Sequence, residues 1–260
     1  MKTPYPDLNA VLHDLVTSVQ QILQDNFIGA YLQGSFAHGD FDEHSDVDFL
    51  VVTEDAVTES QEADLQTMHE RIYKLESPWA QHLEGSYFPK DILKRYSPMR
   101  EALLYIDNGS NTLIRSQHDN TQVVRWVTRE CGVTLAGPEP KDLIDPVTPE
   151  ALREEVTSLM LEWGHYLLTN PSKMNTRWYQ PFVVLSYCRM LHTLHTGMVT
   201  SKPVAARWAK ENLDARWSGL IGRAWAERPN PSLKVRQKAD TDDLADTVLF
   251  INYALNYRDS

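Results

Sequence analysis

The spacing of apolar residues changes several times in the first part of the chain. Between residues 8 and 23 they recur every three or four positions, which predicts a helix with one buried face. Short apolar runs follow and predict strands over residues 27–32, 46–52 and 82–88. A polar stretch over residues 59–75 favours a helix between the last two strands. Strands that alternate with helices indicate an α/β arrangement with a sheet.

Loops and then helices are predicted further along. Residues 96–117 are rich in Pro, Gly, Asn and Ser and predict loops, with room for one extra strand over residues 102–106. Residues 120–131 predict a helix. A boundary is expected within residues 141–149, where Thr148 can cap a helix whose first residue is Pro149.

Beyond that boundary the apolar spacing is helical throughout. The chain therefore predicts an α/β (α+β) fold, in which an N-terminal domain with a mixed sheet, residues 1–147, precedes an all-α helical bundle, residues 148–260. The predicted helices of the bundle cover residues 151–168, 181–196, 201–213, 215–227 and 242–257.

Composition narrows the class of protein. The chain has 260 residues and a formal net charge of −11, which argues against general binding to nucleic acid or to anionic membranes. Apolar runs are too short to span a bilayer, and the N-terminus lacks the features of a secretory signal. Cys131 and Cys188 form no disulfide framework. We therefore expect a cytoplasmic protein; a monomer is the default, although the sequence leaves the oligomeric state open.

The richest chemistry lies in the segment from Gly34 to Val52. Gly34 and Ser35 form a small-residue turn that can receive a phosphate. Asp46 and Asp48 lie two positions apart in a strand and so project to one face, while Val47 and its alternate neighbours project to the other. Carboxylates so close repel each other unless a cation lies between them, which predicts Mg²⁺ and a nucleoside triphosphate.

Transfer of a nucleotidyl group needs little covalent chemistry from the protein. Metal ions and fixed charges neutralise the phosphates, and an acid completes the metal site or takes the proton of the attacking hydroxyl. Glu84, in the strand predicted beside that of Asp48, is the best candidate for either role. Ser45 can bind phosphate or orient the carboxylate that follows it.

These residues carry a family resemblance. Gly34-Ser35, Gly39 and Ser45-Asp46-Val47-Asp48 resemble the signature of the DNA polymerase β-like nucleotidyltransferase superfamily. Segments 185–189, 196–202 and 205–209, with the linker 135–147, resemble the aminoglycoside (3″)(9) adenylyltransferases. The resemblance implies transfer of AMP from ATP to a hydroxyl of a small aminoglycoside or aminocyclitol, in a cleft between the two domains.

The resemblance also implies roles for individual residues. Asp46, Asp48 and Glu84 are expected to bind Mg²⁺, and Glu84 to act as the general base. Gly34, Ser35 and Ser45 are expected at the triphosphate. Arg189 and Lys202, which without the family would be interpreted as surface residues, are expected to reach the ATP phosphates. Asp119 matches an acid that the family places at the cleft.

Two departures from the family bear on the acceptor. Members that accept streptomycin carry a tryptophan in the loop before the Asp119 region and an acid shortly before the Arg189 helix. Here residues 107–112 contain no Trp, and residues 174–181 contain no acid. Spectinomycin or a non-antibiotic hydroxyl compound is therefore favoured over streptomycin as the acceptor. Trp178 and Tyr179, in the second of these segments, are candidates for substrate contact.

Two other readings stay open from the sequence. The chain could be a regulatory nucleotidyltransferase that modifies a protein partner, but the large helical domain favours a small-molecule acceptor. It could also be a catalytically silent nucleotide-binding module, which the intact Asp46, Asp48 and Glu84 argue against.

Overall fold

The computed structural model describes residues 3–229 and 234–257. The chain divides into two compact units, Met1–Val147 and Thr148–Ser260. The first unit combines a sheet with helices, and the described residues of the second form helices without strands. The predicted order of a mixed-sheet domain followed by a helical domain is confirmed.

The first unit contains six strands and six α-helices in its described residues. The strands are β1 (Phe27–Leu32), β2 (Val47–Thr53), β3 (Leu83–Pro89), β4 (Leu103–Ile106), β5 (Leu113–Ser116) and β6 (Val133–Ala136). The helices are α1 (Pro6–Leu23), α2 (Gly34–His38), α3 (Glu59–Tyr73), α4 (Lys90–Lys94), α5 (Gln122–Cys131) and α6 (Pro140–Leu143).

All six strands form one sheet in the order β5-β4-β3-β2-β1-β6. β2 and β3 run parallel, and the other neighbouring pairs run antiparallel, so the sheet is mixed. Parallel neighbours need a long crossover connection, which α3 supplies here. The strand predicted to lie beside that of Asp48 therefore lies there.

Both faces of the central strands are buried. Val47, Phe49 and Val51 point to the face that packs with α1 and α3, in a core that includes Leu12 and Leu65. The opposite face of β2 and β3 carries a second apolar cluster that packs with α4 and the α6 region. Its buried members are Tyr31, Leu50, Val52, Phe88, Leu93, Leu103 and Ile144.

The second unit is built around one central helix. The α-helices of its described residues are α7 (Pro149–Thr169), α8 (Tyr179–Thr196), α9 (Lys202–Asn212), α10 (Ser218–Glu227) and α11 (Thr241–Leu255). α8 packs against the other four and buries most of its side chains among them. Thr148 caps α7 by accepting a hydrogen bond from the amide of Ala151, and Pro149 is the first helical residue, as the sequence predicts.

Three predictions about elements were wrong. The stretch 96–117 contains two short strands, β4 and β5, where loops with one strand were expected. The start of the expected linker, residues 135–136, belongs to β6, which adds to the edge of β1. The segment 215–227 begins with a separate 3₁₀ turn, Ala215–Trp217. Among the described residues, no helix is both long and apolar enough to cross a membrane.

A buried histidine in the first unit makes stability depend on pH. His69 Nε2 lies 2.8 Å from the Tyr87 hydroxyl in the core beneath the sheet. Burial lowers the pKa of His69 to about 3. Between that pH and about 6.5, where an unfolded histidine titrates, the unfolded chain binds more protons than the folded one, so stability falls as pH falls.

We predict that His69→Gln, which keeps a hydrogen-bonding group but cannot titrate, reduces the loss of stability on acidification. Between pH 7.5 and 5.0 the His69 contribution amounts to about 2 kcal/mol. Thermal melting at both pH values should therefore show a smaller fall in Tm for the variant than for the wild type. Equal falls would contradict the assignment.

Candidate active site

The register of the parallel pair brings two of the predicted carboxylates side by side. Asp48 on β2 pairs directly with Glu84 on β3. Both side chains belong to the strand face that also carries Leu50 and Ser86. Leu50 is the first residue of β2 on this face that belongs to the second apolar cluster. At this end of the face, acids therefore take the positions that apolar side chains occupy further along.

The turn after β1 packs directly against Asp48. The amide of Gln33 donates to the carbonyl of Asp48 at 2.9 Å. Gly34 follows with φ +58°, and a Cβ built at this position would collide with the Asp48 carboxylate. Glycine is required here for two reasons, since it adopts the left-handed backbone easily and leaves room for the carboxylate.

Asp46 is held by a residue that the sequence did not point to. Asn108 Nδ2 donates to Asp46 Oδ1 at 2.6 Å, and Asn108 Oδ1 lies 3.0 Å from His82 Nδ1. The side-chain amide thus joins the loop after β4 to the residues just before β2 and β3. From the sequence, the polar composition of residues 107–112 indicates only a loop. The contact between Asn108 and Asp46 becomes apparent only once β4 is paired with β3.

Glu84 lies in a largely enclosed and acidic environment. Its Oε1 accepts from the Tyr105 hydroxyl at 2.6 Å and lies 3.5 Å from His118 Nε2. Burial raises the pKa of Glu84 to about 7, against the lowering effect of the Tyr105 hydrogen bond. The negative charges of three nearby carboxylates add to the effect of burial: Asp46, Asp119 and Asp107.

Asp119 is buried beside the same face of the sheet. It is 6% exposed, and its Oδ2 accepts from the Ser86 hydroxyl at 2.8 Å. Ser86 lies two positions after Glu84 on β3, so Asp119 is held close to the candidate base. Burial raises the pKa of Asp119, while the Ser86 hydrogen bond and the His118 charge oppose that shift.

The two serines of the motif have different surroundings. Ser35 is the second residue of the short helix α2, which begins at Gly34. Ser45 accepts from the amide of Asp42 at 2.9 Å and so closes the loop before β2. The predicted contacts of both serines with a triphosphate stay predictions.

The other candidate residues belong to the second unit. Arg189 on α8 donates from Nε to the carbonyl of Thr200 at 3.1 Å, on the segment that leads into α9. Lys202 begins α9, and its Nζ lies 5.5 Å from the centre of the Phe182 ring. Trp178 and Tyr179 stack with each other and with Phe182 at the start of α8. Arg189 and Lys202 are thus brought to the same helix pair.

The donor set in the first unit suits Mg²⁺. Among the residues that the structure describes, no three His, Cys, Asp or Glu side chains already converge into a complete metal cage. Mg²⁺ needs none, because it is usually held by one or two carboxylates together with phosphates and waters. Asp46 and Asp48 fit that set. Direct ligation by Glu84 stays a prediction, since its Oε1 is held by Tyr105.

Two sequence families match successive parts of the chain. Residues 14–105 match the nucleotidyltransferase domain, and residues 142–254 match the C-terminal domain of aminoglycoside adenylyltransferase. The first match contains the Gly34 turn, Asp46, Asp48 and Glu84. The second contains Arg189 and Lys202.

Individual relatives agree with this assignment. An aminoglycoside (3″)(9) adenylyltransferase of Shigella flexneri is 23% identical over 226 residues, which cover 83% of either chain. A spectinomycin 9-adenylyltransferase of Campylobacter jejuni is 24% identical over 224 residues and 82% of either chain. One from Staphylococcus aureus is 26% identical over 244 residues, 80% of this chain and 87% of its own.

A solved structure shares the fold. The spectinomycin adenyltransferase AAD(9) of Enterococcus faecialis, crystallised with ATP and spectinomycin, superposes with a TM-score of 0.70 at 15% identity. The match covers 96% of this chain and 99% of that chain. The resemblance drawn from the sequence motifs is confirmed. The chain is a nucleotidyltransferase that carries the C-terminal domain of the aminoglycoside adenylyltransferases.

Proposed function

We propose that the protein transfers AMP from ATP to a hydroxyl of an aminocyclitol or aminoglycoside-type small molecule and releases pyrophosphate. The observation that carries the proposal is the direct pairing of Asp48 with Glu84, with the Gly34 turn packed against Asp48. It combines a carboxylate suited to a metal, a carboxylate suited to a base and a turn open to phosphate.

In the proposed reaction, the acceptor oxygen attacks the α-phosphorus as the bond from that phosphorus to the bridging oxygen of pyrophosphate breaks. Glu84 takes the proton of the acceptor hydroxyl. Mg²⁺, which Asp46 and Asp48 would hold together with phosphate oxygens, would neutralise charge on the triphosphate. The backbone around Gly34 and Ser35 would bind the phosphates, and we assign Arg189 and Lys202 the same task.

Glu84 is suited to act as a base at neutral pH. A general base works best when its pKa lies near the working pH, and burial raises the pKa of Glu84 to about 7. Its neighbour Asp48 makes the close contact with the Gly34 turn instead. The two paired carboxylates thus differ in surroundings, which supports different roles for them.

Spectinomycin is the proposed acceptor rather than streptomycin. The loop 107–112 lacks the tryptophan expected for streptomycin. The side chain of its Asn108 is hydrogen-bonded to Asp46 and His82. The segment 174–181 lacks an acid, and its Arg177 forms a two-point ion pair with Glu227 at 2.9 Å. Relatives named for spectinomycin support the same choice. The proposal places a monomeric enzyme in the cytoplasm, where ATP is present.

We predict that the purified protein, given ATP labelled on the α-phosphate and Mg²⁺, transfers label to spectinomycin and much less to streptomycin. Thin-layer chromatography of the products measures both, and a pyrophosphate assay checks the leaving group. Label on streptomycin alone would overturn the choice of acceptor. Label on a co-expressed protein, or only on another hydroxyl compound, would replace the proposed substrate class.

We predict that Glu84→Gln and Asp48→Asn both strongly reduce transfer but differ in ATP binding. Glu84→Gln loses the proton acceptor alone, so turnover falls by about 10²- to 10⁴-fold while Mg²⁺-ATP affinity stays near that of the wild type. Asp48→Asn loses a metal ligand, so affinity falls as well. Calorimetric titration with Mg²⁺ and a non-hydrolysable ATP analogue separates them. Lost affinity in Glu84→Gln would instead make Glu84 a metal ligand.

We predict that Gly34→Ala weakens Mg²⁺-ATP binding by about tenfold or more, because a Cβ there displaces the Asp48 carboxylate. Gly39→Ala is the matched control. Gly39 also has a positive φ, +74°, but a Cβ there meets nothing within 4 Å. Gly39→Ala therefore introduces the same kind of backbone strain without a collision. An equal loss of affinity in both variants would show that backbone strain, and not displacement of Asp48, weakens binding.

A further inference from the structure

We propose that Tyr105 is a positioning residue for the general base: its hydroxyl holds Oε1 of Glu84, so that Oε2 is the oxygen that takes the acceptor proton. The inference rests on the proposed function, because it assumes that Glu84 is the base. Tyr105 is assigned no contact with substrate.

Strand register explains why Tyr105 reaches Glu84. Tyr105 on β4 pairs with Ser86 on the antiparallel neighbour β3, and Glu84 lies two positions before Ser86 on the same face. Diagonal neighbours of this kind lie within reach of long side chains. The hydroxyl accordingly lies 2.6 Å from Glu84 Oε1.

Tyr105 is also rigid enough to hold a partner in place. The residue is 4% exposed, and its ring packs against the His118 ring at 5.3 Å between centres. A tyrosine has only two side-chain torsions, whereas a glutamate has three, so the hydrogen bond restricts the more flexible partner. A phenol is protonated at neutral pH and donates a short hydrogen bond to a carboxylate.

The two oxygens of the Glu84 carboxylate differ in their contacts. Tyr105 and His118 both approach Oε1, at 2.6 and 3.5 Å. Within the described ranges, 3–229 and 234–257, these contacts leave Oε2 for the acceptor hydroxyl. The Tyr105 hydroxyl also lies 3.0 Å from Asp107 Oδ1, but it carries one proton, and the shorter distance assigns that proton to Glu84.

The test compares Tyr105→Phe with Tyr31→Phe. Tyr31 lies in the same sheet, is fully buried, and donates to the carbonyl of Pro138 at 2.8 Å, so its variant also loses one buried hydroxyl and one hydrogen bond. With ATP and spectinomycin, Tyr105→Phe should lower kcat by about ten- to a hundredfold and leave the KM for ATP within about twofold. Tyr31→Phe should keep kcat within about twofold. Equal losses in both variants, or full kcat in Tyr105→Phe, would overturn the proposal.

A double variant separates positioning from a general structural effect. If Tyr105 acts through Glu84, adding Tyr105→Phe to Glu84→Gln causes no further loss of kcat. An additional loss of the same size as in the single variant would overturn the proposal.

Crystal structures give a readout that needs no acceptor. In Tyr105→Phe the Glu84 carboxylate should leave its wild-type position or adopt several conformers, whereas in Tyr31→Phe it should stay. An unmoved Glu84 in Tyr105→Phe would overturn the positioning role even if the enzyme transfers AMP to spectinomycin. A wild type that transfers AMP to nothing would contradict the proposed function, while the crystal structures would still decide whether Tyr105 holds Glu84.

Discussion

The parallel pairing of β2 with β3 is the constraint on which the site depends. It sets Asp48 opposite Glu84 through the backbone pairing of the two strands. The pairing in turn requires a close approach at Gly85, where a Cβ would collide with the carbonyl of Phe49. Apolar packing on both faces then fixes the two strands in the interior. The carboxylates are thus placed by the most buried part of the unit.

The carboxylates around Glu84 lie close together in a largely buried place, and their mutual repulsion carries an electrostatic cost. Asn108, Tyr105 and Ser86, which hold Asp46, Glu84 and Asp119, are neutral donors. Hydrogen bonds from neutral groups orient a carboxylate but leave its charge in place. Burial raises the pKa values of Glu84 and Asp119, and at Glu84 the charges of neighbouring carboxylates add to the effect of burial. A site of this kind gains most when a cation binds, which suits a metal-dependent reaction in a chain of net charge −11.

Local patterns in the sequence predicted the elements that bury several of their own apolar residues. β1 has the predicted bounds, and α7 begins where Thr148 and Pro149 indicated. β5 and β6 were missed because each has four residues and is only partly buried, so neither shows a clear alternation. Such strands are stabilised by the neighbour they pair with, and that partner is distant in sequence.

The same reason explains which site residues the sequence revealed. Gly34, Asp46 and Asp48 lie within one short segment, so their spacing was readable, and Glu84 followed from one expected strand. Tyr105 lies in an apolar run and is typical of a core residue, and Asn108 is typical of a turn. Their contacts arise only when β4 is placed beside β3, a pairing that no local pattern specifies.

Under the proposed function, the chemistry and the choice of acceptor would depend on different kinds of structure. Asp48, Glu84 and Tyr105 lie on paired strands, where a change of position would break several backbone hydrogen bonds at once. Of the two segments that depart from the streptomycin pattern, residues 107–112 lie outside strands and helices, and residues 174–181 lead into the start of α8. Substitutions in such segments alter which groups face a ligand without disturbing strand register. Under the proposed function, Glu84 and Tyr105 would therefore stay constant while the acceptor changes, because the interactions that position Glu84 are not those that would select the acceptor.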